Sequence, residues 1–226
     1  MLGRVTAVLA STPPALPPAA PRPRTAAEWL RSLGDVPPHR ILVDPPPGTA
    51  TVADVVRLSH HENRGVELID GTLVEKTVGL RESIIAARII RRLSNVVEPA
   101  DLGFVAGEQG MIRMLMGNVR MPDVAFFRRA DLPGGRIPAD DPAPRLAPAL
   151  AVEVLSPSNT AEEMRLKLRE YFDNGVRLAW LADPPTRTVR VYDGPDAFRS
   201  LGPDDTLDGG NVLPGFSVRV GDLFDV

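Results

Sequence analysis

Cysteine is absent from this sequence, which excludes disulfide frameworks and every thiolate-ligated metal site, zinc ribbons among them. Histidine is scarce, at three residues. His60 and His61 are neighbours in the chain, so on a helix they point apart and cannot share one ion; both are expected at the surface. No apolar run approaches the ~20 residues of a membrane-spanning helix. The opening "MLGRVTAVLASTPPALPPAAPRPR" has only a short apolar piece that dissolves into proline, which argues against a signal peptide. These absences fit a cytoplasmic protein without membrane partners. An excess of one charge is missing too. The formal net charge is −3, so no whole-molecule field attracts nucleic acid, and such contact must come from a local basic surface or bound cations.

What is present is enough for one good-sized core, with 43% hydrophobic residues. Composition divides the chain into a Pro/Ala-rich leader over 1–25, an N-terminal helical and extended segment over 26–64 that packs on the core, and a principal domain over 65–226. "TAAEWLRSLG" (25–34) reads as a short helix closed by Gly34, and "TVADVVRLSHH" as a helix with a Thr cap and an acid in its first turn. "GVELIDGTLVEK" (65–76) is two short runs around Asp70-Gly71, a hairpin signal because a type I′ turn needs residues that tolerate positive φ. The clearest helix is 80–98, whose stripe of Ile85, Ala86, Ile89, Leu93 and Val96 holds the helical period, with Glu82 on the same inner face. "NVRMPDVAFF", 149–155, "VRLAWLAD", "RTVRVYD" and part of the tail "VLPGFSVRVGDLF" read as strands. A helix over 160–173 precedes Asn174-Gly175. Strand, helix, strand over 149–182 predicts a parallel crossover in a mixed α/β sheet.

"PALAVEVLSPSN" (148–159) reads as a strand buried on both faces, yet Glu153 stands in its middle. A lone carboxylate there costs several kcal/mol unless it is paired or bound to a metal. In "NVRMPDVAFF" strict alternation puts Asp123 on one face with Met121, Ala125 and Phe127, and Pro122 signals an edge or bulge. Two such acids on neighbouring strands repel unless a divalent cation joins them, and oxygen donors suit Mg²⁺ or Mn²⁺. Hydrogen bonding at a strand end, or an arginine partner, would satisfy each acid singly. Lys167 lies at the edge of the stripe Met164, Leu168, Tyr171 and Phe172, from where it either extends to solvent or reaches the acids.

"ELIDGTLVEK", "MPDVAFF", "LAVEVLSPSN", "MRLKLREYFDNGV" and "LPGF" together resemble the Uma-two family of restriction-endonuclease-like proteins, a branch of the PD-(D/E)xK nuclease superfamily, over roughly residues 40–226. The resemblance implies a restriction-endonuclease-like αβββαβ core with a four-stranded mixed sheet. It makes Asp123 the PD aspartate, Glu153 the second metal-binding acid and Glu82 the first-helix glutamate. The usual E-x-K lysine is replaced by Leu155, which leaves its role to Lys167 from the next helix. It further implies hydrolysis of DNA with Mg²⁺ or Mn²⁺ held by Asp123, Glu153 and the Val154 carbonyl, and Lys167→Ala is then expected to abolish cutting while leaving folding largely intact. Arg81, Arg88, Arg113 and Arg120 are candidate phosphate contacts. A homodimer follows if both strands are cut, since that calls for two active sites. The alternative is a catalytically inactive nuclease-like module that binds nucleic acid or a protein partner.

Overall fold

Short polar caps and positive-φ turns set where the elements begin and end. The computed structural model describes residues 23–225, so residues 1–22 of the leader lie outside the described residues. Helix α1 (Ala26–Ser32) is capped by Thr25, whose hydroxyl accepts from the Glu28 amide at 3.1 Å. Gly34 follows at φ +84°, and a Cβ there would lie 2.5 Å from Glu163 Cα. Helix α2 (Val52–Glu62) opens with Asp54, whose carboxylate accepts from the Thr51 amide and hydroxyl at 2.9 and 2.7 Å. Both His60 and His61 are exposed on it. Strands β1 (Val66–Ile69) and β2 (Thr72–Glu75) pair across Asp70 and Gly71 at φ 46° and 70°, the left-handed pair that the sequence required. In α3 (Leu80–Val97) the buried stripe is Ile85, Ala86, Ile89, Leu93 and Val97. Val97, not Val96, closes it; Val96 is half-buried.

Strands β3 (Gly103–Gly107), β4 (Ile112–Arg113), β5 (Val119–Arg120) and β6 (Val124–Arg128) come next. They do not belong to one sheet. "NVRMPDVAFF" is broken at Met121-Pro122-Asp123: β5 joins a four-stranded sheet of order β2-β1-β5-β4, while β6 enters the central sheet. Pro122 has no N–H for a ladder, so the strand ends there and Asp123 sits at the crossing between sheets.

The central sheet is completed by β7 (Leu150–Val154), β8 (Leu178–Asp183), β9 (Thr188–Tyr192) and β10 (Phe198–Leu201), in the order β10-β9-β8-β7-β6-β3. β7 and β8 are parallel, and α4 (Ala161–Asp173) connects them. In chain order α3, β3, β6, β7, α4 and β8 reproduce the expected αβββαβ core. The sheet has six strands instead of four because β9 and β10 continue antiparallel from β8. The tail adds a two-stranded ribbon, β11 (Thr206–Asp208) and β12 (Ser217–Arg219), and a 3₁₀ turn over Val220–Leu223.

The central sheet is covered on both faces. Under α3, Val124, Phe126, Leu150, Val152 and Trp180 pack with Ile85, Ile89, Leu93 and the tail residues Phe216 and Leu223. Under α4 lie Ala125, Phe127 and Ala151 with Tyr171, and Ala179 and Leu181 with Met164 and Leu168. Alternation places Glu153, two residues after Ala151, on this second face.

Candidate functional site: a buried carboxylate and lysine cluster beneath the crossover helix

Glu153 is buried at 5% exposure and answered from α4. Lys167 Nζ lies 3.0 Å from its Oε2, and the Tyr171 hydroxyl donates to Oε1 at 2.5 Å. Lys167 and Tyr171 are four residues apart, so they project from one helix face. Lys167 turns inward, with 3% exposure, and also reaches Glu67 Oε1 at 2.8 Å. Burial opposes the ammonium charge, but Glu153 and Glu67 outweigh it and hold Lys167 above its ordinary value. Burial and Glu153 raise the Tyr171 phenol. Glu153 itself is raised: burial dominates over Lys167 and Lys76, and the charges of Asp123 and Glu67 push the same way as burial.

Asp123 receives two donors. Val154 N–H donates to Oδ2 at 2.6 Å, and Lys76, just past β2, places Nζ 2.7 Å from Oδ1 while donating to the Met121 carbonyl at 2.5 Å. Glu67, on β1 of the other sheet, joins the two halves. Its Oε1 accepts from the Met121 amide at 2.9 Å, and its Oε2 pairs with Arg120 at 3.0 Å. Burial opposes its charge, yet Lys167, Arg120 and Lys76 prevail and hold Glu67 far below the usual carboxylate range. Arg120 continues to Glu170 of α4 at 2.6 Å.

A second buried pair fixes the helix that carries Lys167. Arg40 makes a two-pronged contact with Glu163 at 2.8 and 2.9 Å and donates to the Glu75 carbonyl at 2.8 Å. Glu163 also completes the capping box of α4: its amide donates to the hydroxyl of the N-cap residue Thr160, and its carboxylate accepts from the Thr160 amide. Such a bidentate pair fixes orientation as well as charge. The segment over 26–64 thus ties α4 to the β1–β2 hairpin.

The expected residues divide clearly. Asp123, Glu153, Glu82 and Lys167 line one narrow cleft with Lys76, Glu67 and the backbone of Val154. Glu82 is half-buried at its mouth, its carboxylate folded over Gly79 so closely that a Cβ there would collide with it. Arg120 is a correction: at 3% exposure and paired with Glu67 and Glu170, it cannot meet a phosphate. Arg113 pairs with Asp141 outside the cleft, and Arg88 lies with Arg91 and Arg92 at a separate depression on α3. Only Arg81 of the four stands beside the cleft, next to Glu82 in the adjoining pocket. Glu67, Lys76 and Tyr171 were missed. The signal for Glu67 was available, since it too is a lone acid in a wholly buried strand; Lys76 offered none, because its partner Asp123 lies 47 residues on, at the crossing between the two sheets.

The donor chemistry suits a hard divalent cation: Asp123, Glu153 and Glu82 present oxygens only, and Mg²⁺ takes one or two carboxylates with water and phosphate oxygens for the rest. Among the described residues no group of three or more His, Asp or Glu side chains is arranged to hold an ion, and both Asp123 and Glu153 have a lysine partner.

Among the described residues no helix is long and apolar enough to cross a membrane. Searching the curated proteins gives no match. Among solved structures, the chain is similar to a protein from Anabaena variabilis ATCC 29413 described as a putative nuclease belonging to DUF820, with 22% identity, a TM-score of 0.62, and coverage of 70% of this chain and 89% of that one. That likeness shows the fold. The sequence model of the Uma2 family, described as putative restriction endonuclease, matches residues 52–221. That span holds Glu67, Lys76, Asp123, Glu153 and Lys167 alike, and the chain belongs to the Uma2 restriction-endonuclease-like family.

Proposed function

We propose that this chain is a divalent-metal-dependent endonuclease that hydrolyses DNA phosphodiester bonds at the Asp123–Glu153 cleft. One observation carries the reading: the carboxylate of Asp123, just before β6, and that of Glu153 on the adjacent β7 open on one cleft into which a helix lysine is buried at 3.0 Å from Glu153. Such an expense of buried charge serves chemistry better than stability, because hydrophobic replacement of a buried ion pair is often neutral or stabilising.

Asp123 and Glu153, with the Val154 carbonyl, are the residues that would hold Mg²⁺ or Mn²⁺, and a bound cation lowers the pKa of water and neutralises phosphate charge. The chain's own groups do the rest. The Val154 amide and the Tyr171 hydroxyl fix the rotation of the two carboxylates by donating to one oxygen of each. Lys76 holds Asp123 and must swing from Oδ1 for that oxygen to serve a cation. Lys167, held above its ordinary value, stays an ammonium at neutral pH; it acts as a hydrogen-bond donor to the attacking water or a phosphate oxygen and not as a base. Glu82 at the mouth orients water entering the cleft.

The second reading, an inactive nuclease-like module, is favoured by the lysine on each acid and by the lack of a three-ligand group among the described residues. Nicking of supercoiled plasmid decides. Cutting with Mg²⁺ or Mn²⁺ that EDTA abolishes, and that Asp123→Asn and Lys167→Met both lose while still folded, supports the endonuclease; wild-type protein that binds plasmid without nicking it in either metal supports the module.

A further inference from the structure

A depression of about 730 Å³ adjoins the cleft and shares Glu82 and Asn159 with it. Nothing in the proposed hydrolysis uses it. Its floor is the β8–β9–β10 end of the central sheet: Leu181 of β8 is registered with Arg190 of β9, and Tyr192 of β9 with Phe198 of β10. Tyr192 and Phe198 rings lie 5.0 Å apart, tilted by 32°, and Phe198 is 54% exposed. An aromatic left open on a rigid strand is a stacking surface.

The polar groups narrow the ligand further. Arg190 and Asp183 are half-buried on this face, and among the described residues neither has a side-chain hydrogen bond or an ion-pair partner. An arginine and an aspartate that are half-buried and unpaired in one pocket are available to a ligand. The lining carries Arg81, Arg165 and Arg190 against Glu82, Asp183 and Asp196. That balance does not suit a phosphate, which would call for net positive charge. It suits a flat, neutral ring with acceptors on one edge and donors on another.

We propose that this pocket takes one unstacked nucleobase of the strand being cut, and that guanine is the base it fits. Guanine offers adjacent O6 and N7 acceptors to a guanidinium and an amino donor to a carboxylate. Arg190 and Asp183 supply those two groups, and Phe198 stacks on the ring. The base lies next to the scissile phosphate because the pocket and the cleft share a wall. The inference rests on the endonuclease reading for its substrate, but recognition can be measured without cutting.

Two measurements on the full chain test it. In the first, fluorescently labelled single-stranded DNA hexamers containing one guanine or only thymine are titrated by anisotropy in EDTA at fixed salt. Tighter binding of the guanine oligomer by at least about tenfold is expected. Arg190→Ala and Asp183→Ala should each abolish that preference, and Phe198→Ala should weaken both oligomers about equally, by roughly five- to tenfold. In the second, cut ends from random-sequence DNA are sequenced. Guanine should be enriched at one fixed position from the cut, and Arg190→Ala should flatten that enrichment. Guanine-selective binding that Arg190→Ala loses supports the pocket even where the wild type cuts nothing, in which case the endonuclease reading alone fails. Equal affinity for both oligomers, or cutting whose sequence preference Arg190→Ala leaves unchanged, overturns the pocket.

Discussion

The two faces of the central sheet are built from the same strands and do different work. Beneath α3 the contacts are apolar throughout, with Phe126, Leu150, Val152 and Trp180 against Ile85, Ile89 and Leu93. Beneath α4 the same β7 strand turns Glu153 toward Lys167 and Tyr171. Since successive residues of a strand point to opposite faces, Val152 and Glu153 are one position apart and belong to different regimes. Dispersion and water exclusion govern the first, and hydrogen-bonded charge governs the second. A cluster of charges in low dielectric is rigid when complete and costly when broken, so stability and chemistry are separable on the α3 face and coupled on the α4 face.

Removing Lys167 is the sharpest way to break the comparison. Lys167→Ala leaves Glu67 and Glu153 buried without their shared cation, so it should cost about 3–5 kcal/mol of stability and lower cutting by roughly 10²–10³-fold or more. Denaturant melts and plasmid nicking measure the two effects. The sequence alone led to the expectation that folding would be left largely intact; the burial of Lys167, at the edge of the helix's apolar stripe, instead predicts this loss. Leu93→Ala on the other face should cost about 2–5 kcal/mol, yet leave the nicking rate of the folded fraction unchanged. An equal fall in rate would show that the faces are not separable.

Glu67→Gln tests the charge network through pH. Glu67 is held below its ordinary value of 4.5, first against burial and then by Lys167, Arg120 and Lys76. Its contribution is therefore present above about pH 4.5 and is lost as the pH falls toward the folded value. The variant should be less stable at pH 7 and should show a flatter fall in stability below pH 4.5 than the wild type in urea melts across pH. Smallest is the effect of Arg113→Ala, whose pair with Asp141 is about one-third exposed; a loss of ~0–1 kcal/mol is expected in the same melts, with no change in nicking.

Much of the fold was legible because it depends on local rules. The Asp70-Gly71 turn, the α3 stripe, the buried β7 run and the α4 helix before Asn174-Gly175 are each written within a few residues. Where two distant segments decide, the reading changed. "NVRMPDVAFF" alternates like one strand, but β1 captures its first half and β7 its second. The tail was expected to add one strand and forms a two-stranded ribbon with β11.

For the cluster, the sequence by itself determined that Glu153 and Asp123 would stand among apolar neighbours, because strand periodicity fixes which residues share a face. It also placed Lys167 one helical turn from Tyr171, on a helix folding back over β7. Which partner each acid meets was decided only in three dimensions. Lys76 reaches Asp123 and Glu67 reaches Lys167 because the β1–β2 hairpin, more than 45 residues upstream of Asp123, docks its edge against the break at Pro122. Arg120 likewise became a buried strut because Glu67 and Glu170 converge on it from a strand and a helix that the sequence sets far apart. Periodicity carries information over one element; the pairing of buried charges is set by how elements from distant parts of the chain close over one another, where each ion must find its counter-ion or be excluded.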